Sequence, residues 1–144
     1  MRFWDSSAIV PVLLTEATTE RARASWAEDR SMAVWWGTSI ECVAAFARAE
    51  REGRLEPDGL ATASRDLEAI QQDWAVIDPA PPVRLVAERL VRTHPLRAGD
   101  ALQLAAAIAA AEGAPATMPF VTLDDRLAIA AVREGFPVIR FDEP

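Results

Sequence analysis

Short apolar runs alternate along this chain with longer segments whose apolar residues recur at helical spacing. Arg2 to Trp4, Met32 to Trp35, Ala75 to Ile77, Phe120 to Thr122 and Val138 to Arg140 read as strands. Helices are expected over Ser6 to Leu14, Glu16 to Glu28, Ser39 to Glu52 and Pro57 to Asp73. Further helices run from the stiff Asp78–Pro82 loop through Arg92, over Ala98 to Glu112, and over Asp124 to Glu134. Pro11 is expected to bend the first helix, and Gly53 and Gly113 to close two others. Strands separated by helices favour parallel pairing, and a parallel sheet has to be covered on both faces. The fold class is therefore α/β. With 144 residues, no internal repeat and no Gly- or Ser-rich linker, the chain is one domain with one sizeable core.

In such sheets ligands bind beyond the carboxyl ends of the strands, and acids cluster there in this sequence. Asp5 follows the first strand, Glu41 lies just beyond the second, and Asp124 follows the Phe120 to Thr122 strand. Asp100 lies in the first turn of the Ala-rich helix. Acids are also favoured at helix starts for local reasons, because they complement the helix dipole and cap free N–H groups. Thr38-Ser39-Ile40-Glu41 fits a capping box, and Asp124 fits a cap for the helix after it. Asp5 is less well explained that way, since Ser6 and Ser7 beside it already offer caps.

The surroundings of the four acids separate these readings. The segments Phe3-Trp4-Asp5-Ser6-Ser7-Ala8-Ile9-Val10, Thr38-Ser39-Ile40-Glu41, Leu96-Arg97-Ala98-Gly99-Asp100-Ala101-Leu102-Gln103-Leu104-Ala105 and Phe120-Val121-Thr122-Leu123-Asp124 occur in this order. Together they resemble the PIN-domain nucleases, in particular the VapC-like toxins of type II toxin–antitoxin pairs, over essentially the whole chain. The resemblance implies a single PIN-like domain over 1–144, a parallel sheet flanked by helices on both faces. It also implies that Asp5, Glu41, Asp100 and Asp124 line one acidic, metal-binding catalytic pocket. Ser7 and Thr122 match polar positions that support the carboxylates or a metal-bound water. Asp125 adjoins Asp124; the fourth ligand is assigned to Asp124, with Asp125 at the surface or in support.

Oxygen-only ligands suit Mg²⁺ or Mn²⁺. Four clustered carboxylates repel one another and raise one another's pKa, a penalty that a cation reverses. Two ions roughly 3.5–4 Å apart activate a water and stabilise the leaving oxygen of a phosphodiester. The resemblance implies in-line hydrolysis of RNA by this route, leaving a 5′-phosphate and a 3′-hydroxyl. Competing chemistries lack their residues. His94 is the one histidine, so a two-histidine ribonuclease is excluded. It reads as a surface or loop residue before Pro95. Cys42 is the one cysteine, which excludes an internal disulfide and a cysteine-rich zinc site, and it reads as core. Lysine is absent, which removes P-loop and Schiff-base mechanisms. A phosphoaspartyl mechanism at Asp5 fails for the same reason, and position 7 is Ser7 rather than a second acid.

Net charge opposes a nucleic-acid role: it is −7, and two divalent ions bring it only to −3. Arg97 and Arg126 lie close to proposed ligands and are the candidate RNA contacts. Arg48, Arg51 and Arg54 interleave with Glu50 and Glu52 and read as a solvated face. Trp35 and Trp36 are expected to pack, although indoles at a strand end also suit base stacking. The resemblance implies as partners an RNA substrate, a cognate antitoxin and a second copy in a homodimer. No targeting segment or spanning apolar run is visible, so the chain is expected to be cytoplasmic, without membrane association. The alternatives are a PIN-fold protein-binding module without catalysis, and a housekeeping RNA-processing nuclease without an antitoxin.

Overall fold

The computed structural model describes residues 1–142. Five parallel strands form one sheet: β1 (Arg2–Trp4), β2 (Met32–Trp35), β3 (Ala75–Ile77), β4 (Phe120–Val121) and β5 (Val138–Ile139), in the order β3-β2-β1-β4-β5. The helices are α1 (Ser6–Leu13), α2 (Thr19–Glu28), α3 (Thr38–Arg51), α4 (Pro57–Gln71), α5 (Pro81–Thr93), α6 (Ala98–Ala110) and α7 (Asp125–Arg133). A 3₁₀ turn covers Pro115–Thr117.

Alternation along the strands divides the core in two. Phe3, Ala33, Trp35 and Phe120 face one side and pack against α5, α6 and α7. Trp4, Met32, Val34 and Val121 face the other and pack against α1, α3 and α4. Both faces of β1 and β2 are therefore buried, which is why their sequences read as unbroken apolar runs. The Ala-rich stretch of α6 has the same cause: Ala101, Leu104, Ala105, Ala106 and Ala107 are all buried, and small residues bring that helix close to its neighbours.

Strands β1, β2 and β3 run in order toward one edge, and the chain then crosses back to place β4 on the other side of β1. The order reverses between β1 and β4. That switch opens a crevice at their carboxyl ends, where Asp5 and Thr122 emerge side by side.

Local expectations differ from the structure in a few places. The second helix begins at Thr19 instead of Glu16, because the Thr19 hydroxyl donates to Leu14 O at 2.8 Å and accepts from Glu16 N–H at 2.8 Å. Those bonds fix residues 15–18 as a loop. The α1 helix runs through Pro11, and the last two strands are one residue shorter than expected. Among the described residues no helix is long and apolar enough to cross a membrane.

Candidate functional site

Asp5 directly follows β1 and is the N-cap residue of α1. Its N–H donates to Val121 O at 3.0 Å, and its side chain caps α1. Capping by Asp5 was not expected, with two serines adjacent. Those serines are used elsewhere. Oδ2 accepts from the Ser7 N–H at 3.3 Å, from the Ser7 hydroxyl, and from the Thr122 hydroxyl at 2.9 Å. Leu123 N–H donates to Ser7 Oγ at 2.9 Å and Asp124 N–H to Thr122 Oγ1 at 3.1 Å. The two hydroxyls thus clasp the Asp5 carboxylate and the start of the α7 turn together. Burial pushes the Asp5 carboxyl from 3.8 up to about 6; the two hydroxyls oppose that rise and the charge of Glu41 adds to it.

Glu41 forms no capping box. The helix α3 has no side-chain cap, and Thr38 is turned inward, where its hydroxyl accepts from Gln103 Nε2 at 3.1 Å. Glu41 Oε2 accepts from the Ser6 hydroxyl at 2.6 Å and from Gln103 Nε2 at 2.7 Å. Its other oxygen faces the first turn of α6, since a Cβ on Gly99 would lie 3.6 Å from Oε1. Asp100, on that same turn, is half-buried. Burial raises its carboxyl above 3.8, and the charges of Asp124 and then Glu41 add to the rise, against the Arg97 backbone and guanidinium.

Asp124 does cap α7, with Oδ1 accepting from Leu127 N–H at 2.7 Å. Local capping and membership of the acidic group are compatible here, because only one oxygen is engaged. Asp125 lies at the surface: its side chain is 87% exposed and pairs with Arg140 at 2.9 Å. A cleft of about 410 Å³ is lined by Arg97, Asp100, Leu123, Asp124, Asp125 and Arg126. Arg97 and Arg126 are exposed on it, and neither forms a salt bridge among the described residues.

The four acids therefore form a chain of neighbours, Asp5 to Glu41 to Asp100 to Asp124, at the β1/β4 switch. Glu41 and Asp124 each present one oxygen fixed by protein donors and one that accepts no hydrogen bond among the described residues. Asp5 Oδ1 has only a 3.5 Å contact from Ser6, whose hydroxyl lies closer to Glu41. That half-satisfied, all-oxygen donor set, with the Asp5 and Asp100 carboxyls raised by burial and by neighbouring acids, has the chemistry of a hard-cation site. Among the described residues, however, no three of these side chains are close enough to grip one ion as they stand.

Sequence reasoning missed Ser6, Thr38 and Gln103 as supports. The available signal was Gln103 itself, an amide within an Ala- and Leu-rich run, three residues from Asp100 and so on the same helix face. His94 is corrected from a surface position: it is 6% exposed, and Nε2 lies 2.8 Å from Glu134, which also takes both Nη atoms of Arg89. Trp36 is corrected from packing, being 52% exposed, whereas Trp35 does pack. Cys42 is buried in the core, its thiol pushed up to about 12 by burial and by the charges of Glu41 and Asp5. Arg48, Arg51 and Arg54 lie on an exposed face.

The PIN domain family model matches residues 2–143. The chain is 36% identical over 110 residues to ribonuclease VapC45 of Mycobacterium tuberculosis (strain CDC 1551 / Oshkosh), covering 74% of each protein, and identically so to ribonuclease VapC49 of strain H37Rv. Among solved structures it resembles PAE2754 from Pyrobaculum aerophilum (TM-score 0.67, 22% identity, 98% of this chain and 83% of that one). It also resembles FitAcB from Neisseria gonorrhoeae (TM-score 0.69, 17% identity, all of both chains). Family model, relatives and fold agree: this chain belongs to the PIN-domain family and counts VapC ribonucleases among its relatives.

Proposed function

We propose that the chain is a divalent-metal-dependent endoribonuclease, the toxin of a toxin–antitoxin pair. The observation that supports this most is the arrangement of Asp5, Glu41, Asp100 and Asp124 at the switch point, where protein donors engage one oxygen of Glu41 and of Asp124 and leave the other open. The relatives named as ribonucleases supply the substrate class. Mg²⁺ or Mn²⁺ held there would supply the positive charge that activates water and stabilises the leaving oxygen in phosphodiester hydrolysis. The four acids would hold the ion, with the half-exposed Asp100 and Asp124 side chains closing on it, since among the described residues no three of them are near enough as they stand. Ser7 and Thr122 keep Asp5 fixed during that movement, and Ser6 and Gln103 keep Glu41 fixed. Arg97 and Arg126, exposed on the cleft wall, contact the phosphates flanking the scissile one. Regulation by an antitoxin, and assembly as a homodimer, belong to the same reading.

The test is cleavage of single-stranded RNA by purified chain freed of other proteins, with Mg²⁺ or Mn²⁺ and with excess EDTA. Expected are cleavage only with the metal, Mn²⁺ binding by calorimetry, and loss of both in Asp5→Ala and Asp100→Ala. Equal cleavage in EDTA would overturn the metal mechanism. Absence of metal binding in wild type, with all four alanine variants behaving like it, would leave a binding module instead.

A further inference from the structure

A second cavity, of about 520 Å³, opens at the same carboxyl-end side of the sheet and is lined by Trp35, Pro79, Ala80, Pro81, Arg84 and Leu102. Trp35 ends β2 and the prolines follow β3, so both belong to the carboxyl-end side where Asp5 and Glu41 stand. Leu102 ties the two places together. It sits on α6 between Asp100, one of the four acids, and Gln103, which holds Glu41. The first two turns of α6 thus form a ridge, with Asp100 lining the acidic cleft and Leu102, two positions on and so on a different face, lining this cavity.

The two hollows differ in chemistry. The acidic cleft is lined by five charged residues out of six and suits a phosphate only with a cation and its two arginines. The second is walled by two exposed proline rings, a leucine and the small accessible part of the otherwise packed Trp35 indole, with Arg84 its charged member. Arg84 is exposed and makes no salt bridge among the described residues. Flat apolar walls with a guanidinium beside them suit a heteroaromatic ring attached to a phosphate, and base–aromatic contact needs no particular sequence. Single-stranded RNA crossing the α6 ridge would bring one of its bases to this hollow when its phosphate lies at the acids.

We infer that the Trp35–Pro79–Pro81–Leu102 cavity is a nucleobase subsite, which takes the base of a nucleotide near the scissile phosphate while Arg84 holds that nucleotide's phosphate. The inference rests on the RNA reading above and deepens it, naming where the substrate is gripped apart from the acids.

The probe is a fluorescein-labelled single-stranded RNA oligomer, with binding read by anisotropy in EDTA, where no cleavage competes and acid–phosphate repulsion is common to every arm. Wild type is compared with Ala80→Leu, which fills the cavity without adding charge or an aromatic ring, and with Arg84→Ala, at an exposed position. A series of oligomers carrying one abasic nucleotide at successive positions accompanies them. Expected is about tenfold weaker binding to Ala80→Leu, a similar loss in wild type when one particular base is removed, and no further loss when the two changes are combined. Arg84→Ala should weaken binding and flatten its salt dependence. Thermal melts check that each variant is folded, and Arg84→Ala keeps the test alive if Ala80→Leu is not. Binding within twofold of wild type in the folded variants, or losses that simply add, overturns the subsite. So does an Ala80→Leu variant that binds RNA normally yet escapes inhibition by the antitoxin, which would assign the cavity to a protein segment. Metal-dependent cleavage by wild type is scored separately, so failure of the nuclease reading is distinguishable from failure of the subsite.

Discussion

Replacing Asp5 by Asn should make the metal-free protein more stable while removing its metal response. Asp5 is 4% exposed, and its carboxyl rests at about 6 in the fold against 3.8 in a free chain. Below pH 3.8 the group is protonated in folded and unfolded chains alike, and the fold pays nothing. As pH rises from 3.8 to 6 the unfolded chain releases its proton first, so folded stability falls, and above 6 the loss is complete. It amounts to about 3 kcal/mol in the absence of a cation. Asparagine keeps an oxygen for the Ser7 and Thr122 hydroxyls and carries no charge to desolvate or to set against Glu41. Urea denaturation of both proteins in EDTA, from pH 4 to pH 8, should therefore give curves that nearly coincide at the acid end. Toward pH 7.5 Asp5→Asn should become the more stable by up to about 3 kcal/mol. Adding Mg²⁺ should raise wild type by mass action and leave the variant unmoved. A variant less stable than wild type at pH 7.5, or a difference independent of pH, would refute the argument that burial of an uncompensated charge dominates this position.

Gln103→Leu removes the donor shared by Glu41 and Thr38 at nearly constant volume; stability should fall by about 1–3 kcal/mol in urea titrations, because a buried hydroxyl and a carboxylate lose their partner. RNA cleavage should fall with it, while Gln103→Asn, too short to reach Glu41, should behave like the leucine variant. Cys42 should resist an aromatic disulfide reagent at pH 8 in the native protein and react at once in denaturant, since its buried thiol is pushed up to about 12. Glu134→Gln should lower the melting temperature near neutral pH, because Arg89 and then His94 hold that carboxylate below 4.5. As the depressed group contributes its full stability above 4.5 and loses it as pH falls through the lowered folded value, the difference from wild type should shrink as the solution is acidified below 4.5.

Helices and strands were legible where periodicity is strong: β1, β2 and β3 lie where the apolar runs placed them. The start of α2 was not, because one hydroxyl–carbonyl bond between Thr19 and Leu14 outweighs the helical pattern of the residues before it. The two capping assignments divided for a similar reason. Asp124 caps because its own helix begins beside it, whereas Glu41 is drawn off by Ser6 and Gln103, partners 35 and 62 positions away. His94 does lie in the loop before Pro95, but it is buried instead of exposed, because Glu134 at the end of α7 comes within 2.8 Å of its ring.

By itself the sequence determined the alternation of strands and helices, hence a parallel sheet buried on both faces, and it set acids at the carboxyl ends of strands. Those are consequences of local periodicity, which each segment carries alone. Tertiary structure decided the rest: the return of the chain past β1 that created the crevice, the oxygens of Glu41 and Asp124 left open, and the apolar hollow across the α6 ridge. Contacts between segments far apart in the chain make those features, and no local pattern encodes which distant donor reaches a buried charge first.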